Sequence, residues 1–162
     1  MGVAGAGKST LANALAAELG CATIEGDEHH LGASKAKMRA GIPLEDADRE
    51  PWLDLLGDLV ARPGAFVLTC SALKRRYRDR LRARVPGLRF IFIEIERADA
   101  EKRVASRPSH PFPASLVASQ FAALELPLGE PGVLTVPAAR SVRDQADAVK
   151  AWVTGIGADP RE

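Results

Sequence analysis

The stretch Gly2-Val3-Ala4-Gly5-Ala6-Gly7-Lys8-Ser9, continued by Thr10, constrains this chain more than any other. Two glycines bracket four residues and are followed by Lys and Ser, the pattern of a phosphate-binding loop. Glycine lets successive backbone N–H groups turn inward and approach a polyphosphate with no Cβ in the way. A helix launched from such a loop adds the positive end of its dipole. Lys8 then supplies a point charge for the β- and γ-phosphates, and Ser9 a hydroxyl oxygen for Mg²⁺. Gly2 to Thr10 is therefore the expected nucleotide-binding segment, with Lys8 also catalytic. A plain glycine-rich turn capping a helix is the competing reading, but the full pattern is far rarer by chance than a bare G-x-G. Leu11, Ala12, Leu15, Ala16 and Leu19 follow at helical spacing and end at Gly20, so a helix is expected directly behind the loop.

Downstream, strand and helix patterns alternate. Ala22–Glu25, Ala65–Cys70, Leu88–Ile95 and Val133–Val136 read as strands. Helices are expected over Ser34–Ala40, over a longer stretch opened by Leu44–Leu53 with Leu53, Leu56, Leu59 and Val60 as its apolar stripe, and over Lys74–Arg84, Ala98–Ser106, Ala114–Leu124 and Ser141–Val153. Asp46 or Asp48 suits an N-cap, and Pro51 a first turn. This alternation argues for a single α/β domain over residues 1–162, a parallel sheet with helices on both faces. Ligands in such sheets bind at the carboxyl ends of the strands. Asp27, just past the first strand, is placed to take the proton from an attacking hydroxyl. Glu25, two residues earlier on the same strand face, is placed to hold a magnesium-bound water. His29 and His30 lack metal-site companions and read as loop or substrate contacts, His30 being the candidate substrate-binding one. Arg49 offers either a weak surface ion pair or a bidentate clamp on a substrate carboxylate. The run from Lys74 to Arg84 is rich in Arg, and its members cannot share one helix face. Lys74 and Arg78, four residues apart, can point together toward an anionic ligand. Arg103 and Arg107 precede the proline-rich segment Pro108–Pro113, and residues 107–113 form a candidate lid over ATP.

Composition removes other classes. The formal net charge of +1 and the lack of aromatic platforms beside the arginines argue against a nucleic-acid partner. No apolar run is long enough to span a bilayer. Cys21 and Cys70 show no zinc-like spacing. With no signal peptide ahead of the loop, cytoplasmic residence is expected. The tail from Gly155 to Glu162 is expected to fray.

Several blocks together resemble the thermoresistant type of gluconokinase. They are the phosphate loop, Gly26-Asp27 with His29-His30, Lys37-Met38, Gly41-x-Pro43-Leu44-x-Asp46-x-Asp48-Arg49-x-Pro51-Trp52-Leu53, Cys70-Ser71-Ala72-Leu73-Lys74, Tyr77-Arg78-Asp79, Ser119-Gln120-Phe121 and Leu124-Glu125. The resemblance runs in order to about Pro127, and the CSALK and D-x-DR-x-PWL blocks are its most specific parts. It implies ATP-dependent phosphorylation of D-gluconate to 6-phosphogluconate, a fold like the nucleoside monophosphate and shikimate kinases with a five-stranded parallel sheet, and often a homodimer. The chain departs from that pattern at Glu25 (usually Asp), Leu31 (usually Pro) and Ser34 (usually Asn). His110-Pro111-Phe112 also stands where the lid usually reads His-Phe-Met. Two other readings stay open: a kinase of the same fold acting on another small carboxylate such as shikimate, and a nucleotide-binding module without turnover.

One expected part has no residues. A phosphate loop normally follows a strand, and only Met1 precedes Gly2. In the implied fold that strand lies between Ala65–Cys70 and Leu88–Ile95. A chain starting several residues upstream is therefore expected. For these 162 residues the expectation is a gap or rearranged pairing at the sheet's centre and a loosely held phosphate loop.

Overall fold

The computed structural model describes residues 1–106 and 114–155. The candidate lid, with Arg107, and the tail beyond Gly155 lie outside the described residues. The chain runs α1 (Lys8–Leu19), β1 (Ala22–Glu25), a single 3₁₀ turn (Gly26–His29), α2 (Gly32–Arg39) and α3 (Asp46–Val60). It continues through β2 (Phe66–Thr69), α4 (Arg75–Arg84), β3 (Phe90–Glu94), α5 (Arg97–Ala105), α6 (Ala114–Ala123), β4 (Val133–Pro137) and α7 (Val142–Thr154). The expected alternation is there, and the strands pair in parallel. β1 runs beside β2 with Ala22 opposite Phe66 and Glu25 opposite Thr69. β3 runs beside β4 with Phe90 opposite Val133 and Glu94 opposite Pro137.

Successive side chains of a strand point to opposite faces, so a sheet buried on both sides feeds two cores. Val67 and Ile91 pack into one cluster with Val3, Leu11, Leu15 and Val149, and so meet α1 and α7. Leu68 and Phe90 pack into the other with Trp52, Leu53, Leu56 and Leu81, and so meet α3 and α4. Trp52 and Leu56 are completely buried there. α3 starts from Glu45 rather than from Asp46 or Asp48. Asp48, inside the first turn, accepts the Glu45 N–H at 2.9 Å, which satisfies one of the donors a helix start leaves open. Pro51 lies deeper than the first turn, as the sixth residue of the helix.

The described strands make two parallel pairs, not the continuous five-stranded sheet of the resemblance. Among the described residues, Met1 and Gly2 supply the backbone bonds that bridge them. The Met1 amine donates to Ile91 O at 2.5 Å, Met1 O accepts from Ile93 N at 3.0 Å, and Gly2 N donates to Ser71 O at 3.1 Å. Behind this bridge, between β2 and β3, lies an apolar cavity of about 360 Å³ lined by Leu11, Leu15, Val67, Leu68 and Ile91 among others. Burial pushes the Met1 amine down to about 5, with the Lys8 charge acting in the same direction. The expected gap is thus present.

The expected looseness of the phosphate loop is not. Val3 and Ala6 are each 2% exposed and belong to the core. Lys8 Nζ donates to Val3 O at 3.0 Å, and Ala4 N donates to Gln120 Oε1 at 2.6 Å. Gly5, at φ 81°, lies so close to α5 that a Cβ would stand 2.7 Å from Ala100 O, so only glycine fits. Packing of the loop's own side chains against α5 and α6 holds it.

Candidate active site

The phosphate loop, β1 and β2 meet at one end of the molecule. Gly7 precedes α1 at φ 101°, which turns the chain from loop into helix and leaves the first-turn N–H groups pointing outward. Ser9 and Thr10 sit exposed in that first turn. Ser9 Oγ donates to Glu25 Oε2 at 3.2 Å, and Thr69 Oγ1 donates to the same oxygen at 2.7 Å. The last residues of β1 and β2 are therefore tied to the start of α1. This pairing of a hydroxyl and a carboxylate is all-oxygen, which suits Mg²⁺, a hard cation that keeps several waters. Among the described residues no group of three or more His, Cys, Asp or Glu could hold a metal by itself.

Asp27 follows β1 in the 3₁₀ turn, with its side chain 70% exposed. Its backbone is clamped on both sides. Gly26 N donates to Thr69 Oγ1 at 3.3 Å, and the Trp52 indole N–H donates to Gly26 O at 2.8 Å. A Cβ on Gly26 would stand 2.3 Å from Thr69 O, so glycine is required directly before the acid. Asp27 is thus a solvent-facing carboxylate on a fixed turn, two residues past the Glu25 that meets Ser9.

His30 lies under this turn, not in an open pocket. Its ring stacks on Trp52, centroids 4.1 Å apart at 15°, and Nε2 is 4.0 Å from Asp27 Oδ1. Nδ1 is buried without a hydrogen-bond partner among the described residues. Burial pushes the imidazole down to about 4, with Arg49 and Lys35 acting the same way and Asp27 opposing them. The neutral ring therefore supports the Asp27 turn from below. Because its folded pKa is depressed, His30 contributes its full stability above the unfolded value near 6.5, and the contribution is lost as pH falls toward 4. The limit is on the order of 3 kcal/mol. His30→Phe keeps a ring on Trp52 and removes the titration. Its melting temperature is expected to fall less than that of the parent protein between pH 6.5 and 4.5. Parallel pH profiles for the two proteins would contradict the assignment.

A separate cavity of about 520 Å³ opens between α3, the start of α4 and α6. Arg49, Lys74, Tyr77, Asp46, Ser119 and Gln120 are on its wall. The turn that delivers Lys74 runs through Ala72, which is 1% exposed and holds φ 41°, a conformation unusual for a side chain with a Cβ. Lys74 Nζ is held by Asp46 Oδ1 at 2.9 Å, and Asp46 also takes Tyr77 OH and the Arg76 guanidinium. Arg49 lies 5.9 Å from the Tyr77 ring centroid and, among the described residues, makes no ion pair. The cavity therefore has one committed cation, Lys74, and one available cation, Arg49.

The structure puts Arg78 to a different use from the expected ligand contact. It is 1% exposed. Its Nε donates to Glu130 Oε2 at 2.9 Å, NH1 to Ala72 O and Leu73 O at 2.9 and 3.0 Å, and NH2 to Glu125 O at 3.1 Å. NH2 also pairs with Glu130 Oε1. These bonds hold the Ala72–Lys74 turn in place. The Arg78 partnership in turn keeps the Glu130 carboxyl below the usual carboxylate range. Most other arginines of α4 are paired as well, Arg80 with Asp54 and Arg84 with Asp58, so the basic run knits α4 to α3. Arg103 donates to Ala138 O at 3.0 Å and to Gly5 O at 3.5 Å, which places it against the loop's own backbone.

Tyr77, Asp46 and Gln120 stand in the quoted sequence blocks, yet sequence reasoning gave them no part in the site, Asp46 being read only as a candidate N-cap. Their signal was spacing within those blocks. Their partners lie 31 and 116 residues away for the Tyr77–Asp46 and Gln120–Ala4 contacts, out of reach of local pattern.

Residues 1–127 match the AAA domain family. The chain is 44% identical over 140 residues to the gluconokinase of Gluconobacter oxydans, covering 84% of this chain and 79% of that one. It is 38% identical over 131 residues to the thermoresistant gluconokinase of Escherichia coli, covering 78% and 75%. The solved structure of a gluconokinase from Sinorhizobium meliloti superposes with a TM-score of 0.88 at 40% identity, covering 96% of this chain and 91% of that one. With a phosphate loop, an acid at the end of β1 and a cationic cavity beside them, and with relatives of this closeness, the chain belongs to the gluconokinase family of AAA-domain proteins.

Proposed function

We propose that this protein transfers the γ-phosphoryl group of ATP to the terminal hydroxyl of D-gluconate, giving 6-phospho-D-gluconate. The observation that carries the reading is the second cavity. It is large enough for a sugar acid, carries Arg49 and Lys74 on its wall, and reaches the phosphate loop through Gln120. Lys8 and the N–H groups at the start of α1 hold the polyphosphate, while Gly2 N and Ala4 N, bound to Ser71 O and Gln120 Oε1, keep the loop in shape. Ser9 and, through water, Glu25 would hold Mg²⁺, which neutralises charge on the phosphates when bound. Asp27 accepts the proton as the acceptor oxygen attacks. Little else is asked of the protein, because phosphoryl transfer depends mainly on position and charge. A homodimer belongs to the same proposal and rests on the resemblance, and cytoplasmic residence belongs to it as well. Among the described residues no helix is long and apolar enough to cross a membrane.

The test is ADP release by the full chain with ATP and Mg²⁺ across a panel of gluconate, other sugar acids, shikimate and neutral sugars. Gluconate should give the highest kcat/KM. Turnover with shikimate alone, or none with any acceptor, would overturn the reading. Within that assay Arg49→Lys keeps the charge but loses the planar fork. The KM for gluconate is expected to rise about tenfold or more with a smaller change in kcat. An unchanged KM would mean that Arg49 does not hold the carboxylate.

A further inference from the structure

Gln120 touches both halves of the site. Its Oε1 accepts the Ala4 N–H of the phosphate loop at 2.6 Å. Its side chain also lines the 520 Å³ cavity beside Arg49 and Lys74. An amide oxygen bound to an N–H fixes which way the group faces, so the two Nε2 hydrogens point away from the loop. They have no partner among the described residues, although the residue is half-buried. The helix behind it is anchored. Leu116 and Val117 of α6 are 4% and 0% exposed, and α6 packs on α5, whose Ala100 lies against Gly5.

We infer that Gln120 is a positioning residue that sets the acceptor in register with the phosphate loop: its oxygen holds Ala4 while its N–H donors hold a hydroxyl of the acceptor. The inference rests on the gluconate reading. The physical consequence is coupling. A loop pinned through Gln120 presents its N–H groups to the nucleotide in a fixed geometry. An acceptor that binds Nε2 orders the same side chain. Each ligand therefore lowers the ordering that the other must impose, and the effect is reciprocal.

The experiment measures the Kd of a non-hydrolysable β,γ-imido ATP analogue by calorimetry, with and without saturating gluconate, for the full chain. In the parent protein gluconate should tighten the analogue about fivefold or more. Gln120→Met matches the side chain in length and has no hydrogen-bonding amide. It should bring that ratio close to one and lower kcat about tenfold or more. Gln120→Glu still accepts from Ala4 but cannot donate. It should keep the parent's melting temperature and also lose the coupling, which separates acceptor register from simple loop stability. Coupling and kcat retained in Gln120→Met, or coupling retained in Gln120→Glu, would overturn the inference. Gluconate that binds the parent without tightening the analogue overturns the inference alone, whereas a parent that does not bind gluconate overturns the gluconate reading with it.

Discussion

Asp27→Asn is expected to lower kcat about 10²-fold or more while leaving the affinity for ATP within a few-fold of the parent. Asn fills the same volume on the same clamped turn, so Gly26 keeps its bonds to Thr69 and Trp52. What is lost is the carboxylate that accepts the proton and orients the hydroxyl. The side chain is exposed, so no buried charge is removed and the melting temperature should hold. Steady-state kinetics with both substrates varied would read this directly. A parent-like kcat would remove Asp27 from the mechanism.

Glu130→Ala should act in the opposite way, on stability and not on chemistry. It leaves the Arg78 guanidinium, 1% exposed, without its anion. Removing one partner of a buried pair destabilises by about 3–5 kcal/mol, because the remaining charge stays desolvated. For a chain of this size that is a fall in melting temperature of roughly 6–20 °C. Arg82, also paired with Glu130 at 3.0 Å, loses a contact in the same variant. Below the new melting temperature the KM for gluconate should change little, since the pair lies behind the Ala72–Lys74 turn and not on the cavity wall. A raised KM with an unchanged melting temperature would return Arg78 to the ligand-binding role first expected of it.

The two outcomes mark where the sequence could be read and where it could not. Glycine and lysine at fixed offsets define a loop because their chemistry is local, and Ser9 and Glu25, each assigned separately to the magnesium side of the site, lie within hydrogen-bond distance of each other. Short, largely apolar runs likewise located β1 to β4. Arg49 and Lys74 do share a cavity wall, though their opposite states of pairing depend on Asp46, whose position no spacing argument supplies. Arg78 was misread for a physical reason. An arginine four residues after a lysine suggests a shared target, but the Glu130 that claims it comes from 52 residues away. His30, readable from sequence as either a loop or a substrate contact, makes the loop contact, and its burial on Trp52 beneath the 3₁₀ turn was beyond local pattern. The break between β2 and β3 was legible because only Met1 stands where a strand was expected to separate them. The firmness of the phosphate loop was not, because it comes from α5 and α6.

The central claim is that one site brings a sugar acid's hydroxyl to a nucleotide held by the phosphate loop. Its most direct test is phosphorus–proton correlation NMR of the product formed from ATP, Mg²⁺ and gluconate by the full chain. The account predicts a single phosphomonoester on O6 of gluconate, formed in a one-to-one ratio with ADP. ADP formed with free phosphate, or a phosphate on any other oxygen, would contradict it.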